Sequence, residues 1–338
     1  MAASFKSKCF SGLISIYRKT RNKYRARNAG FRSISQREAY RLESVLTPEI
    51  KQHYCERKGY AQLGYVPNLD RPATYSEKLI WLALHYKNPL IAQCTDKYTC
   101  KEYIRARLGE EYCVPALGIY DSVNSIDWDK LPEQFVLKST AGWAGKQVII
   151  VPDKCALPLE KTKSRMAEWL YPWNTYYYQN LCITDERIKP RILIESFLGG
   201  QGELDDFKVF CFHGKARLLL VVQDRGSKHM HKTFFDLDTW QPLPIQRKGT
   251  TTVPNIPKPK RLADMIRIAE TLSEGIPLLR VDFFATGERL YVGEMTFSPG
   301  MFLRITPRSW DDVLGTYIDL SKVSINNEET ETQAKTIR

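Results

Sequence analysis

Hydrophobic positions along the chain change period near residue 114, and that change divides it. Residues 74–84 place Leu79, Ile80, Leu82 and Leu84 on a helical repeat. Thr74 and Glu77 ahead of them have capping-box spacing, in which each side chain satisfies a backbone N–H of the other's turn. Asn88-Pro89 ends that helix, because the residue before proline is pushed out of the α region. A second helix is predicted from about Thr95-Asp96 through Tyr98, Tyr103 and Ile104 to Gly109. Two helices of this size cannot easily stand alone, so they are expected to pack on the lobes C-terminal to them.

Beyond Val114 the apolar runs are short, as strands require. Residues 135–138 and 147–151 flank an eight-residue loop, Ser139 to Lys146, that contains Gly142 and Gly145. Residues 159–170 are charged and helix-compatible, and 191–198 read as a strand. Residues 207–212 and 215–223 form a hairpin through His213-Gly214. Residues 262–273 carry Leu262, Met265, Ile266, Ala269 and Leu272 on one helical face, and 281–285 with 290–295 form a last hairpin. The pattern is α+β. It divides into a tail (1–45), a helical region (46–110), a first α+β lobe (111–198), a second (199–320), and a polar, aperiodic stretch (321–338) expected to be disordered.

Composition adds bounds. A chain of 338 residues, 43 % hydrophobic and 26 % charged, is that of an ordinary soluble protein with room for two domains. It contains no run of about 18 apolar residues, so no membrane-spanning helix is expected. The apolar stretch from Leu13 to Tyr17 is short and followed by basic residues, which is not the layout of a secretory signal. The net charge of +12 is concentrated: residues 1–41 hold eleven Lys or Arg against Glu38 alone, leaving a nearly neutral body. With Phe10, Leu13, Ile14 and Tyr17 among those charges, the tail reads either as a solvated arm or as a surface helix on anionic lipid or an acidic partner. The eight cysteines show neither C-x-x-C nor zinc spacing, so they are read as reduced thiols of a cytoplasmic protein.

The candidate chemistry lies mainly on the last hairpin. If its turn is the three residues Thr286-Gly287-Glu288, Ala285 faces Arg289 and Arg280 faces Glu294, and Arg280, Asp282, Glu294 and Thr296 share one side. A two-residue turn would point Glu294 away. Two carboxylates and an arginine on one face suit a metal–phosphate site; the plainer reading is a salt-bridge cluster. Lys138 ends its strand at the glycine loop, whose N–H groups can approach phosphates, although a plain glycine hairpin looks the same. Glu195 sits inside an apolar strand and needs a donor, either an adenine amino group or a neighbouring lysine. His229 and His231 are too few for a metal site and read as a polar loop. The run Tyr171, Trp173, Tyr176, Tyr177 and Tyr178 suits packing or the stacking of a sugar or base. Asp236-Leu237-Asp238, a pattern that sugar-nucleotide enzymes use for metal, comes after a short strand and precedes Trp240, as a turn would.

These signals occur in one order: TYSEKLIWLAL from Thr74, TDKY from Thr95, LPEQFVLK ending at Lys138, DDFKVFCFHG from Asp205, LLRVDFF from Leu278 and GEMTFSPG from Gly293. From about Asn68 to Leu320 that order resembles the ATP-grasp superfamily, and in detail its TupA-like branch, the teichuronopeptide-synthesis type of surface-polysaccharide loci. The resemblance implies two α+β lobes gripping ATP and Mg²⁺. It implies Lys97 and Lys138 on the phosphates, and Glu195 at an adenine hinge formed by the Ser196, Phe197 and Leu198 backbone. Asp206 would meet the ribose, with Lys208 beside it in the nucleotide site. Arg280 would meet the γ-phosphate and act with Lys138 in catalysis. Asp282, Glu294 and Thr296 would hold the metal, Thr296 standing where the wider superfamily usually has asparagine. The implied activity is carboxylate–amine ligation through an acyl-phosphate, on a uronic-acid-containing surface polysaccharide or its precursor. Arg225, Arg304, Trp143 and Lys146 are candidates to meet a saccharide or uronic-acid acceptor, an amine is the second substrate, and no nucleic acid is expected. A glycosyltransferase and an ATP-dependent phosphotransferase are the alternatives. The basic tail, residues 1–41, would allow peripheral contact at the inner face of a membrane or with the polysaccharide machinery.

Overall fold

The computed structural model describes residues 47–143, 145–172, 188–199, 205–223, 230–246, 253, 255–287 and 289–324. The basic tail therefore lies outside the described residues, as do Arg225, His229, Trp173 and Tyr176 to Tyr178.

Helix α1, Pro48–Leu63, starts with Thr47 accepting the Ile50 N–H and stops at Gly64 in the left-handed region. Helix α2, Tyr75–His85, has both halves of the predicted capping box. Asn88 then accepts the Leu90 N–H and opens α3, Pro89–Thr95. The next helix, α4, begins later than predicted, at Thr99, and runs to Leu108. The reason is Asp96, whose carboxylate accepts the Tyr98 and Thr99 N–H groups and closes the chain into a corner. Lys97 stands in that corner rather than on a helix face.

The first lobe is an antiparallel sheet of β1 (Ala116–Tyr120), β2 (Phe135–Ser139), β3 (Val148–Val151) and β4 (Ile192–Ser196), in the order β1-β4-β2-β3. Phe135, Leu137, Ile192 and Ile194 alternate onto Met166 and Trp169 of α5, Leu159–Trp169. The second lobe is a six-stranded antiparallel sheet in the order β10-β9-β5-β6-β7-β8. It comprises β5 (Asp205–Phe212), β6 (Lys215–Gln223), β7 (His231–Asp236), β8 (Pro242–Leu243), β9 (Leu278–Thr286) and β10 (Arg289–Thr296). His213 and Gly214, both at positive φ, make the predicted two-residue turn.

Period-two alternation gives the large sheet two different faces. Val209, Val281 and Phe283 point to α6, Leu262–Leu272, and pack on Met265, Ile268 and Leu272. The other face presents Phe210, Phe212, Leu218 and Leu220, covered by Leu79 and Ile80 of α2 and Leu314 of α7, Arg308–Thr316. The expectation that the N-terminal helices dock on the lobes is met there. Helix α7 approaches α2 so closely that a Cβ on Gly315 would sit 2.3 Å from the Ala73 carbonyl oxygen. The chain stays packed past Leu320: Leu320–Lys322 forms a 3-10 turn and Val323 is buried. Residues 321–324 are thus packed, contrary to the expectation for them, because Val323 is an apolar anchor; residues 325–338 lie outside the described residues. No helix among the described residues is long and apolar enough to cross a membrane. On the β9–β10 edge the face opposite α6 turns from apolar to charged, and the site lies there.

Candidate nucleotide and metal site

The last hairpin reaches the predicted arrangement by a different route. Thr286 pairs with Arg289, so two residues separate the strands, and Ala285 pairs with Leu290 rather than Arg289. That even turn alone would send Glu294 to the wrong face. The register then shifts between Val292 and Glu294, so that Glu294 lies opposite Asp282 and Thr296 opposite Arg280. Gly293 is the bulged residue, and it returns both side chains to the face of Asp282. A Cβ there would sit 2.4 Å from the Phe284 ring, so a larger residue would have to displace that ring.

Side chains on this face form a chain of alternating charge. Arg280 grips Asp282 with two hydrogen bonds of 2.5 and 2.8 Å and reaches Glu294 at 3.4 Å. Lys208, opposite Asp282 on β5, lies 2.5 Å from Asp282 and 2.7 Å from Asp206. Burial alone would raise the Asp282 pKa; Arg280 and Lys208 outweigh it and hold the carboxyl below its usual range. Burial likewise works against the Arg280 charge, and Asp282 and Glu294 more than restore it. Asp206, implied as a ribose contact, is buried with its carboxylate on Lys208. Glu294 is held only loosely, and the buried Thr296 hydroxyl has no hydrogen-bond partner among the described residues.

In the first lobe, Lys138 on β2 and Glu195 on β4 share one sheet face, and the Lys138 ammonium pairs with one Glu195 carboxylate oxygen. The other oxygen lies 2.5 Å from Lys101, which also donates to the Val114 carbonyl. Burial would raise the Glu195 pKa, but Lys138 and Lys101 outweigh it and the carboxyl titrates below its usual value. Of the two possible donors to Glu195, the structure supplies lysine, twice. Lys101 escaped sequence reading because a lysine within a charged helical stretch looks solvated. Ser196 and Phe197 lie at the far end of β2 from Lys138, on a groove of about 790 Å³ that Leu117, Gln134 and Pro152 also line. Leu198 beside them is half-buried.

Lys97 joins the lobes. Its ammonium donates to the Gly142 carbonyl in the glycine loop at 2.5 Å and stands 3.7 Å from Glu294 on β10. Its backbone N–H bonds to Thr140, and Arg191 holds neighbouring Asp96 at 3.4 Å. Lys138 completes the convergence, 6.0 Å above the ring of Phe284 from the second lobe. Of the acceptor candidates, Trp143 is half-buried, while Lys146 and Arg304 are exposed. The Asp236 carboxylate accepts the N–H groups of Asp238 and Thr239, as the turn reading requires.

Two antiparallel lobes whose lysines converge on a face of acids and an arginine define an ATP-grasp enzyme, a class that holds ATP and Mg²⁺ between its lobes. The chain belongs to the TupA-like ATP-grasp family, whose model matches residues 77–319. Similar solved structures include the D-alanine–D-alanine ligase of Bacillus anthracis complexed with ATP, at 17 % identity over 75 % of this chain and 70 % of that one, with a TM-score of 0.41. The Helicobacter pylori D-alanine–D-alanine ligase matches at 13 % identity over 73 % and 70 %, with a TM-score of 0.40. The ATP-grasp ligase PsnB with a minimal precursor matches at 12 % over 71 % and 63 %, with a TM-score of 0.38. Likeness this distant says nothing about substrate. No curated protein matches the chain.

Proposed function

We propose that this protein is an ATP-dependent carboxylate–amine ligase that works through an acyl-phosphate, on a uronic-acid-containing surface polysaccharide or its precursor. The observation that carries the nucleotide half of this reading is Lys97, which touches both the glycine loop and Glu294. A triphosphate between the lobes would find Lys97 and Lys138 from one side and Arg280 and Lys208 from the other. The Ser196 to Leu198 backbone would meet the adenine edge, and Asp206 would hold Lys208. The donor set also fits Mg²⁺: Glu294, Asp282 and the Thr296 hydroxyl share one face, and that buried hydroxyl lacks a partner among the described residues.

ATP supplies the phosphoryl group, and Mg²⁺ neutralises charge beside it. The protein's own part is positioning and electrostatics, so no side-chain nucleophile is needed. Lys138 and Arg280 would stabilise charge on the transferring group while an acceptor carboxylate attacks it and ADP leaves, giving the acyl-phosphate. An amine then attacks the acyl carbon and phosphate leaves. The family's place among surface-polysaccharide loci supports a uronic acid as the carboxylate donor.

The test is incubation of the purified protein with ATP, Mg²⁺ and candidate uronic acids and amines. Acceptor-dependent ADP and phosphate with an amide product support the ligase. A phosphorylated sugar as the final product would make the protein a phosphotransferase instead. Turnover of UDP-sugars alone would sink the proposal.

A further inference from the structure

Lys101 has no part in the ligase chemistry, yet it is a buried lysine, only 6 % exposed. It sits one turn after Lys97, on the first turns of α4. Its ammonium meets one oxygen of Glu195 while Lys138 meets the other. The carboxylate itself is 3 % exposed, so water screens little of this triad. Two ammonium groups and one carboxylate leave one positive charge. Lys138 is the more exposed lysine, its side chain 16 % accessible against 8 % for Lys101, and it faces Phe284 of the second lobe.

We propose that Lys101 is a charge-balancing residue: it neutralises Glu195 from behind, so that the net positive charge of the triad is presented through Lys138 to the anionic nucleotide. This rests on the nucleotide reading of the site. Lys101 touches no substrate in this scheme. Without it, Glu195 and Lys138 would cancel, and the strand would offer the phosphates an ion pair in place of a cation. Lys101 also donates to the buried Val114 carbonyl, so a simple loss of packing must be separated from a loss of charge.

Charge reversal of the defect makes that separation. Titration of a fluorescent ATP analogue with Mg²⁺ into the full-length protein should show K101M binding on the order of tenfold more weakly than the parent, as expected for loss of one nearby unit charge. The double variant K101M/E195Q regains the single positive charge and should bind severalfold more tightly than K101M, although it still lacks the Val114 hydrogen bond. E195Q alone keeps both ammonium groups and should bind more tightly than K101M. A folded double variant as weak as K101M overturns the proposal, because the role of Lys101 is then structural; so does K101M with parental affinity. Should K101M not fold, E195Q against the double variant decides, since equal affinities in those two would also overturn it. K138A is the control for the underlying reading: parental affinity there removes Lys138 from the phosphates and the proposal with it. Weak K138A with unaffected K101M rejects the charge-balancing role alone.

Discussion

The two carboxylates opposite each other on β9 and β10 are held very differently, and their replacements should separate accordingly. Asp282 is buried and engaged by Arg280 and Lys208, so D282A leaves those half-buried cations with only Glu294 and Asp206 as acidic partners and should cost about 1–3 kcal/mol of stability. Glu294 is half-exposed and makes only long contacts, of 3.4 and 3.7 Å. E294A should therefore melt within a few degrees of the parent yet lose nearly all ATP-dependent turnover; K138A should lose turnover too while staying folded, and unchanged turnover in either would remove that residue from the site. The orphan hydroxyl of Thr296 gives a second split. T296V removes a buried polar atom that has no partner among the described residues, so thermal stability without nucleotide should be unchanged or slightly higher. The Mg²⁺ concentration for half-maximal turnover should rise in the same variant, and a parental Mg²⁺ requirement would show that Thr296 is not a ligand.

Glu195 also fixes a pH dependence. Its folded-state pKa lies below the usual carboxylate value, so its stabilising contribution is fully present above the unfolded pKa, about 4.3, and is lost as pH falls through the folded value. Thermal melts from pH 7 down to pH 3 should show a decline on the acid side that is shallower in E195Q. Equal slopes in the two proteins would contradict the pairing with Lys101 and Lys138.

At the scale of elements, the β9–β10 hairpin shows how one inserted residue selects a face. An even turn and a bulge at Gly293 together do what an odd turn would have done. Deletion of Gly293 should leave a paired hairpin with Glu294 and Thr296 turned to the opposite face, because a one-residue slip inverts every side chain beyond it. Circular dichroism should remain α+β while turnover disappears; an active deletion variant would show that the site does not depend on the bulge. Sequence period made the two strands visible, but it carries no mark of a bulge. In sequence Gly293 is like any strand glycine; only the fold sets the Phe284 ring against it. Elements without a clean period were missed for a related reason. Strand β1 is short and half-exposed, and α7 has no side-chain cap and owes its place to Gly315 packed against α2.

At the scale of the molecule, charge is partitioned: the body is nearly neutral and residues 1–41 hold most of the excess. Each basic residue near an anionic surface contributes about 1 kcal/mol, and salt weakens the attraction. Removal of residues 1–41 should leave turnover in solution intact while reducing sedimentation with anionic phospholipid vesicles at low salt. An inactive but folded truncation would place the tail in the site.

The sequence by itself determined the local signals and their order: the capping box at Thr74 and Glu77, the His213-Gly214 turn, the alternating strands, and the motifs that mark the family. Those are properties of neighbours along the chain, so backbone preference and side-chain period suffice to write them. Tertiary structure alone decided three things. Gly293 set the face of Glu294, Lys101 joined Lys138 on Glu195, and Lys97 met both lobes from the corner that Asp96 caps. Each depends on residues distant in sequence meeting in a buried or bridging position, where desolvation leaves a charge only the partners that packing brings to it.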